Sequence, residues 1–330
     1  MAVQIRKAER AKSKLRVGLS GPSGSGKTYS ALLMAFGLVG SWEKIVLIDT
    51  ENGSGELYSN LGPYNVITLS APFSPESYIE AIEAAQAAGM EAIVIDSVSH
   101  EWDGKGGCLQ INEMLANAKY KGNTWAAWSE VTPRHQKFIE AITTASCHVI
   151  TTARSKTDTI QTEDKKIKKV GLKDIQREGF EYELTVAFNI DRDEHLAIAS
   201  KDRTELFIDR DPFIVTSATG EELLAWAQSG RDVPVDVAKE KGRIMFHFKR
   251  LGLEKPSSAE RAAEMVAALV ELDVTDESML PQVVKKLEAF TAEGAQAVLA
   301  EHDAKKHQGA ETKAPPAAAA EHYPDEVPGS

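Results

Sequence analysis

Residues 18–33 read GLSGPSGSGKTYSALL, and within them Gly21, Gly26, Lys27 and Thr28 complete the spacing G-x-x-x-x-G-K-T. Glycines at this spacing let backbone N–H groups turn inward around a phosphate, and the N-terminus of a following helix adds the positive end of its dipole. Gly21, Pro22, Ser23, Gly24, Ser25, Gly26, Lys27 and Thr28 are therefore expected to hold a nucleoside triphosphate. Lys27 would reach the β- and γ-phosphates, and the Thr28 hydroxyl would ligate Mg2+. Such a clamp also needs a carboxylate on the metal side. Asp96 ends the apolar run AIVIDS and is the candidate, although a strand can end in Asp merely to cap the next turn. Glu51 follows VLIDT; a carboxylate there can orient and deprotonate an attacking water, or it is a surface acid at a strand end. A small-molecule kinase would have no need of a water-activating glutamate. The expected ligands are ATP and Mg2+.

These residues must be carried to one place, and the chain around them predicts how. Apolar runs at 15–20, 44–50, 65–70, 91–99 and 147–153 read as strands. Stretches 27–39, 74–89 and 132–146 read as helices, the second opening on Ser74 and Pro75 as an N-cap and first helical residue. Continuous apolar strands alternating with helices predict an α/β fold with a mostly parallel central sheet covered on both faces. Residues 155–175 are polar and lysine-rich and read as a long mobile loop. Beyond them, 182–190, 194–200 and 205–209 read as closely spaced strands that would extend the sheet in antiparallel fashion. A helix at 220–229 follows. The expected organisation is a basic N-terminal arm (1–14), an ATPase core (15–230), a helical segment of three or so helices (231–307) and a disordered tail (308–330).

The 330 residues carry a net charge of −11, which argues against coating nucleic acid by bulk charge, so any such contact must be local. Cys108 and Cys147 are too few for a disulfide framework or a metal cluster and read as reduced thiols. No apolar run of about 18 residues is present, and the basic start lacks the apolar region of a secretory signal. A cytoplasmic protein with no membrane partner is expected.

Together, GPSGSGKT, VLIDTE and AIVIDSVS resemble the RecA-like P-loop ATPases. More closely, TARSKTD (152–158), GLKDIQREGFEYE (171–183) and ASKDRTELF (199–207) resemble phage-encoded RecA-like ATPases, the AAA-family phage ATPases of the Sak single-strand annealing type. The resemblance spans roughly residues 15–210 and lacks the long N-terminal polymerisation domain of bacterial RecA. It implies a RecA-like core with Glu51 as the hydrolytic residue. It also implies Tyr58 against the adenine, unless that ring is plain packing, and assembly into a homo-oligomeric ring or filament. It implies single-stranded DNA as partner, annealing or homologous pairing in phage recombination as the job, and a host bacterial cytoplasm as the location. A phage single-strand binding protein or nuclease is a further possible partner; a helicase or loader motor, and an annealing module with nucleotide as a structural ligand only, are the competing jobs.

In such assemblies two loops face the DNA. One is 100–107 with 119–128 beyond it, where Tyr120, Trp125 and Trp128 either stack on bases or pack in the core. The other carries Lys165, Lys166, Lys168, Lys169 and Lys173. From Arg154 to Arg177 there are eight basic and four acidic residues, a local excess of four positive charges that suits phosphate contacts or is simply a solvated run. Lys201 and Arg203 are expected to reach the γ-phosphate of a neighbouring subunit as arginine fingers do, and Thr152 and Arg154 to sense the γ-phosphate of their own. The arm with Arg6, Lys7, Arg10, Lys12, Lys14 and Arg16 either tracks a phosphate backbone or is a solvated lead-in.

Overall fold

The computed structural model describes residues 7–161, 167–231, 237–253, 255–270, 272 and 276–311; side chains at 157–161, 167–172, 239 and 306–311 are outside the description. It divides into two compact units, residues 1–233 and 234–330.

In the first unit the strands are β1 (Arg16–Gly21), β2 (Ile45–Asp49), β3 (Asn65–Thr68), β4 (Ala92–Asp96), β5 (His148–Gln161), β6 (Ile167–Asp174), β7 (Val186–Ile190), β8 (Leu196–Asp202) and β9 (Phe213–Ile214). The helices are α1 (Lys27–Val39), α2 (Pro75–Ala87), α3 (Ser99–Asp103), α4 (Cys108–Lys119), α5 (Thr124–Thr144) and α6 (Ser217–Gln228). The sheet order is β3-β2-β4-β5-β1-β7-β8-β9, with β6 paired to β5. Strands β3 through β7 along this order are parallel, while β8 and β9 run antiparallel. This is the mostly parallel sheet with an antiparallel extension that the sequence predicts, consistent with a RecA-like P-loop fold.

Strands β1, β2 and β4 are buried along their whole length, so their apolar runs need no alternation. Their side chains still divide by strand periodicity. Ile45, Leu47 and Val94 pack with Leu32, Met34 and Leu38 of α1 and Leu223 of α6 on one face. Val46, Ile48, Ile93 and Ile95 pack with Tyr78 and Ile82 of α2 and Phe138 and Ile142 of α5 on the other. Each fully buried aliphatic chain contributes about 1.5–3 kcal/mol. Helix α2 starts as expected, with Ser74 Oγ accepting from Ser77 N at 3.3 Å and Pro75 in the first turn.

Four expectations are corrected. The long loop at 155–175 is a β-hairpin: β5 continues to Gln161 and pairs antiparallel with β6 from Ser155↔Asp174 to Gln161↔Ile167. The lysines hid a β-rich pattern of Thr, Ile and Val. Helix α5 begins at Thr124 rather than 132, because Asn123 caps it by accepting from Ala126 N at 3.1 Å and Pro133 sits inside the helix. Strand β7 is itself parallel to β1, so the antiparallel extension starts only at β8. Finally, 205–209 is a turn, since the Asp202 carboxylate accepts from Thr204 N and Phe207 N, both at 2.7 Å, and folds Phe207 back against Phe188 and Phe213. The last sheet strand is instead Phe213–Ile214.

The N-terminal arm is tied down where it is described. Arg10 lies 4.3 Å over the Trp226 ring and hydrogen-bonds Trp226 O and Ser229, and Lys12 N donates to Arg231 O at 2.8 Å. Arg16 is buried and donates to the carbonyls of Leu15, Thr143, Ala145 and Cys147. Those two arginines therefore serve the fold rather than a phosphate backbone; Arg6 lies outside the described residues.

The second unit contains four described helices, α7 (Val237–Arg250), α8 (Ala259–Val270), α9 (Leu280–Glu288) and α10 (Ala292–Glu311), around a core of Phe248, Leu251, Leu269, Val283 and Leu287. Helix α10 continues through 308–311, and the remainder of the expected tail lies outside the described residues.

Helices α1 and α6 meet backbone to backbone. A methyl carbon on Gly37 would lie 1.9 Å from Ser217 O, and one on Gly220 would lie 2.2 Å from Met34 O. Gly37→Ala, which in a free helix gains about 1 kcal/mol, is predicted to destabilise the chain by about 1–3 kcal/mol through overpacking. Thermal unfolding reads this directly; an unchanged or raised Tm would contradict the contact.

Candidate functional site

The parallel register brings the site together. Asp49, Asp96 and Thr152 lie abreast on β2, β4 and β5, and Gly21 lies abreast of Arg154. The chemistry-bearing residues thus share the C-terminal edge of the sheet, where α/β folds bind ligands.

Between β1 and α1 the chain turns through Gly24 and Gly26 at φ +81° and +86°, values that side-chain-bearing residues rarely adopt. Gly26 is the N-cap of α1. Lys27 Nζ folds back over the loop to donate to Pro22 O at 2.8 Å. Burial lowers its pKa, an effect opposed by the nearby carboxylates of Asp96 and Glu51. Ser25 Oγ is buried and, among the described residues, has no hydrogen-bond partner. An orphaned hydroxyl in a loop with two left-handed glycines, at a helix N-terminus, fits an anionic phosphate chain.

Asp96 is only 4% exposed. Its two carboxylate oxygens accept hydrogen bonds from Thr28 Oγ1 and Thr152 Oγ1, each at 2.5 Å. Burial raises its pKa, and the two hydroxyls oppose that shift only in part. A hydroxyl and a carboxylate in contact, both oxygen donors, fit Mg2+. Glu51 stands at the tip of β2 in a turn shaped by Asp49, whose carboxylate accepts from Glu51 N at 2.6 Å and Gly55 N at 3.1 Å. Its own carboxylate is gripped by both Arg154 Nε, at 2.8 Å, and the Arg154 terminal nitrogen, and it accepts from Ser97 Oγ at 3.3 Å. Burial would raise the Glu51 pKa, but the Arg154 hydrogen bonds and charge outweigh it and hold the group ionised below the usual range.

Tyr58 sits in the 3-10 helix Ser54–Leu61, its ring 5.9 Å from that of Tyr29 in the first turn of α1. Lys201 and Arg203 are not beside the loop of their own chain. Lys201 lies near the end of β8, abreast of Ala187 on β7, and donates to Glu181 O and Tyr182 O, while Arg203, just past β8, donates to Tyr182 O. Of the lysine set, Lys165 and Lys166 lie outside the described residues, Lys168 and Lys169 are carried on β6, and Lys173 at the base of the hairpin pairs with Glu178. Trp128 stacks on Trp102 at 5.4 Å with Arg177 over its ring, whereas Trp125 is 87% exposed on α5. Tyr120 donates to Glu130 at 2.7 Å.

Two groups escape sequence reasoning. Arg192 and His195, in the turn between β7 and β8, flank Gly24 and Gly26; the stretch DRDEH reads only as a polar turn. The buried Glu101 accepts from Cys108 Sγ at 3.0 Å and meets His135 Nδ1 at 3.0 Å. These residues are scattered over α3, α4 and α5 with no motif spacing. Cys, His and Glu are zinc-type donors, and the three lie within 4.8 Å of one another. Here they are engaged with one another and, through Gln176 Nε2, with the segment that follows the hairpin. Burial and Glu101 push the Cys108 thiol pKa up.

Because burial raises the Asp96 pKa, only between the ordinary and the raised value does the folded chain hold a proton that the unfolded chain has lost. That contribution is fully present below the ordinary aspartate value and is lost as pH rises through the raised one. Asp96→Asn is therefore predicted to stabilise the nucleotide-free protein at pH 8 by about 1–3 kcal/mol and to flatten its Tm against pH. A lowered Tm at pH 8 would contradict a net cost of burying this carboxylate.

Among the described residues no helix is long and apolar enough to cross a membrane. The sequence matches the family described as AAA domain over residues 13–209. No curated protein matches it. Among solved structures, one reported as a prototypical ATPase from the type III secretion system of pathogenic bacteria aligns over 83% of this chain and 80% of that one, at 14% identity and a TM-score of 0.33. With more than half of its length covered by the family match, the chain belongs to the AAA domain family of P-loop ATPases.

Proposed function

We propose that this protein is a Mg2+-dependent ATPase that binds single-stranded DNA and promotes annealing or homologous pairing in phage recombination. The observation that carries the reading is the grip of Arg154 on Glu51 at the root of the lysine-bearing hairpin. One side chain thereby joins the hydrolytic candidate to the segment with the local excess of positive charge.

Gly21 to Thr28 wrap the triphosphate, with Lys27 on the β- and γ-phosphates. Thr28 and Asp96 would hold Mg2+, which supplies charge neutralisation for the transferred phosphoryl group. Glu51 positions a water and takes its proton as the water oxygen bonds to the γ-phosphorus. The bond to the β–γ bridging oxygen breaks, and ADP leaves with that electron pair. For this Glu51 must be released, and a γ-phosphate offers Arg154 a competing anion. Movement of Arg154 then reaches β5 and the hairpin, which couples nucleotide state to DNA affinity. Lys165, Lys166, Lys168, Lys169 and Lys173 supply sequence-independent phosphate contacts. Tyr58 is placed beside the first turn of α1, which suits a base-stacking role. The distance of Lys201 and Arg203 from their own P-loop supports a role in a neighbouring subunit of a homo-oligomer.

ATP turnover measured with and without single-stranded DNA tests the whole reading. DNA is predicted to stimulate hydrolysis, and raising salt from 50 to 200 mM is predicted to remove the stimulation, with DNA affinity falling about tenfold or more. Lys27→Ala and Glu51→Gln abolish turnover, by about a hundredfold or more for a lost general base. Turnover that ignores DNA, in a chain that binds none, would sink the recombination role. In a second experiment, Arg154→Ala is predicted to keep nucleotide binding and lose the DNA stimulation; stimulation at the parent level would break the proposed link.

A further inference from the structure

The turn between β7 and β8, Asp-Arg-Asp-Glu-His at 191–195, packs against the phosphate loop from the side away from Asp96. Asp191 fixes its shape: the carboxylate accepts from Asp193 N and Glu194 N, both at 2.8 Å, and from Leu196 N at 2.7 Å. His195 takes the left-handed conformation at φ +59°. The turn is close enough that a methyl carbon on Gly21 would lie 2.4 Å from Ile190 O. One on Gly24 would lie 3.9 Å from Arg192 Nε, and one on Gly26 3.7 Å from His195 Nδ1. Two exposed side chains with nitrogen donors therefore stand beside the two left-handed glycines of the loop.

Their place in the sheet says which end of a nucleotide they meet. Glu51 follows β2, and Asp96 and Thr152 belong to β4 and β5, all on one side of β1, while β7 flanks β1 on the other. With the γ-phosphate and metal on the first side, the turn meets a nucleotide from the second, across the loop from Tyr58. Charge points the same way. Asp193 and Glu194 share the turn and would repel phosphates, but not a neutral base or ribose. Guanidinium groups stack on aromatic faces, and an imidazole exchanges hydrogen bonds with hydroxyls.

Building on the reading of the P-loop as a triphosphate site, we propose that Arg192 and His195 bind the nucleoside half of a purine nucleoside triphosphate held by the same chain, Arg192 against the base and His195 against the ribose. The clamp is preformed, because Asp191 orders the turn without help from a ligand.

Calorimetric titration of the full chain with ATP, ADP and inorganic tripolyphosphate, beside steady-state ATP turnover, tests this. Arg192→Ala and His195→Gly suit the purpose, since both sites are exposed and glycine tolerates the left-handed φ. Each is expected to weaken ATP and ADP binding by about fivefold or more and to leave tripolyphosphate binding unchanged. KM for ATP rises by a similar factor while kcat stays put. Unchanged ATP affinity would overturn the proposal. So would an equal loss for ATP and tripolyphosphate, which would make the turn a phosphate contact instead. Lys27→Ala separates the two levels: it is expected to weaken both ligands. An unaltered chain that binds neither ATP nor tripolyphosphate would overturn the P-loop reading itself, and the clamp with it.

Discussion

The carboxylate of Asp96 is almost wholly removed from water, and the two threonine hydroxyls that satisfy it come from different elements. An ionised group so placed is costly unless hydrogen-bonded or joined to a metal. Thr28 brings the first turn of α1 to it, and Thr152 brings β5. Meeting this one group's needs therefore sets the spacing between the phosphate loop, β4 and β5. The parallel register supplies the rest, since it sets Asp49, Asp96 and Thr152 abreast at one edge. Burial raises the Asp96 pKa, and the two threonine hydroxyls offset that only in part.

Beside that centre stands the ion pair of Glu51 and Arg154. Both groups are held by side-chain contacts rather than by the backbone ladder, and a phosphate would compete for the same guanidinium. Arg154 stands where β5 passes from the parallel core into the hairpin with β6. Its backbone N–H is held by Ser99 Oγ at 2.9 Å, and the chain leaving the hairpin contacts Val98 O and the buried Glu101 through Gln176. The hairpin is thus fastened at both roots to the segment following β4.

Much of the core was legible because its signals are local. Glycines and a lysine at fixed spacing lie between an apolar strand and a helix. The runs IVLID and AIVID are too apolar to lie anywhere but inside a sheet. The hairpin was not legible, because its lysines outweigh its β-branched residues in any composition-based reading. Pro133 misled in a similar way: proline marks helix starts, yet here Asn123 caps the helix ten residues earlier. Phe207 belonged to a plausible strand, and a single carboxylate, Asp202, turns it into a fold-back. Arg192 and His195 gave no signal at all. Gly24 and Gly26, which they stand beside, are 168 and 169 residues away in the chain, and only the β1–β7 pairing reveals the approach.

The most direct measurement is a structure of the full chain with Mg2+ and a non-hydrolysable ATP analogue. The account predicts the metal on Thr28 and Asp96, the triphosphate within residues 21–28, and Arg154 withdrawn from Glu51 toward the γ-phosphate. A nucleotide bound elsewhere, or a γ-phosphate in place with Arg154 still gripping Glu51, would contradict it.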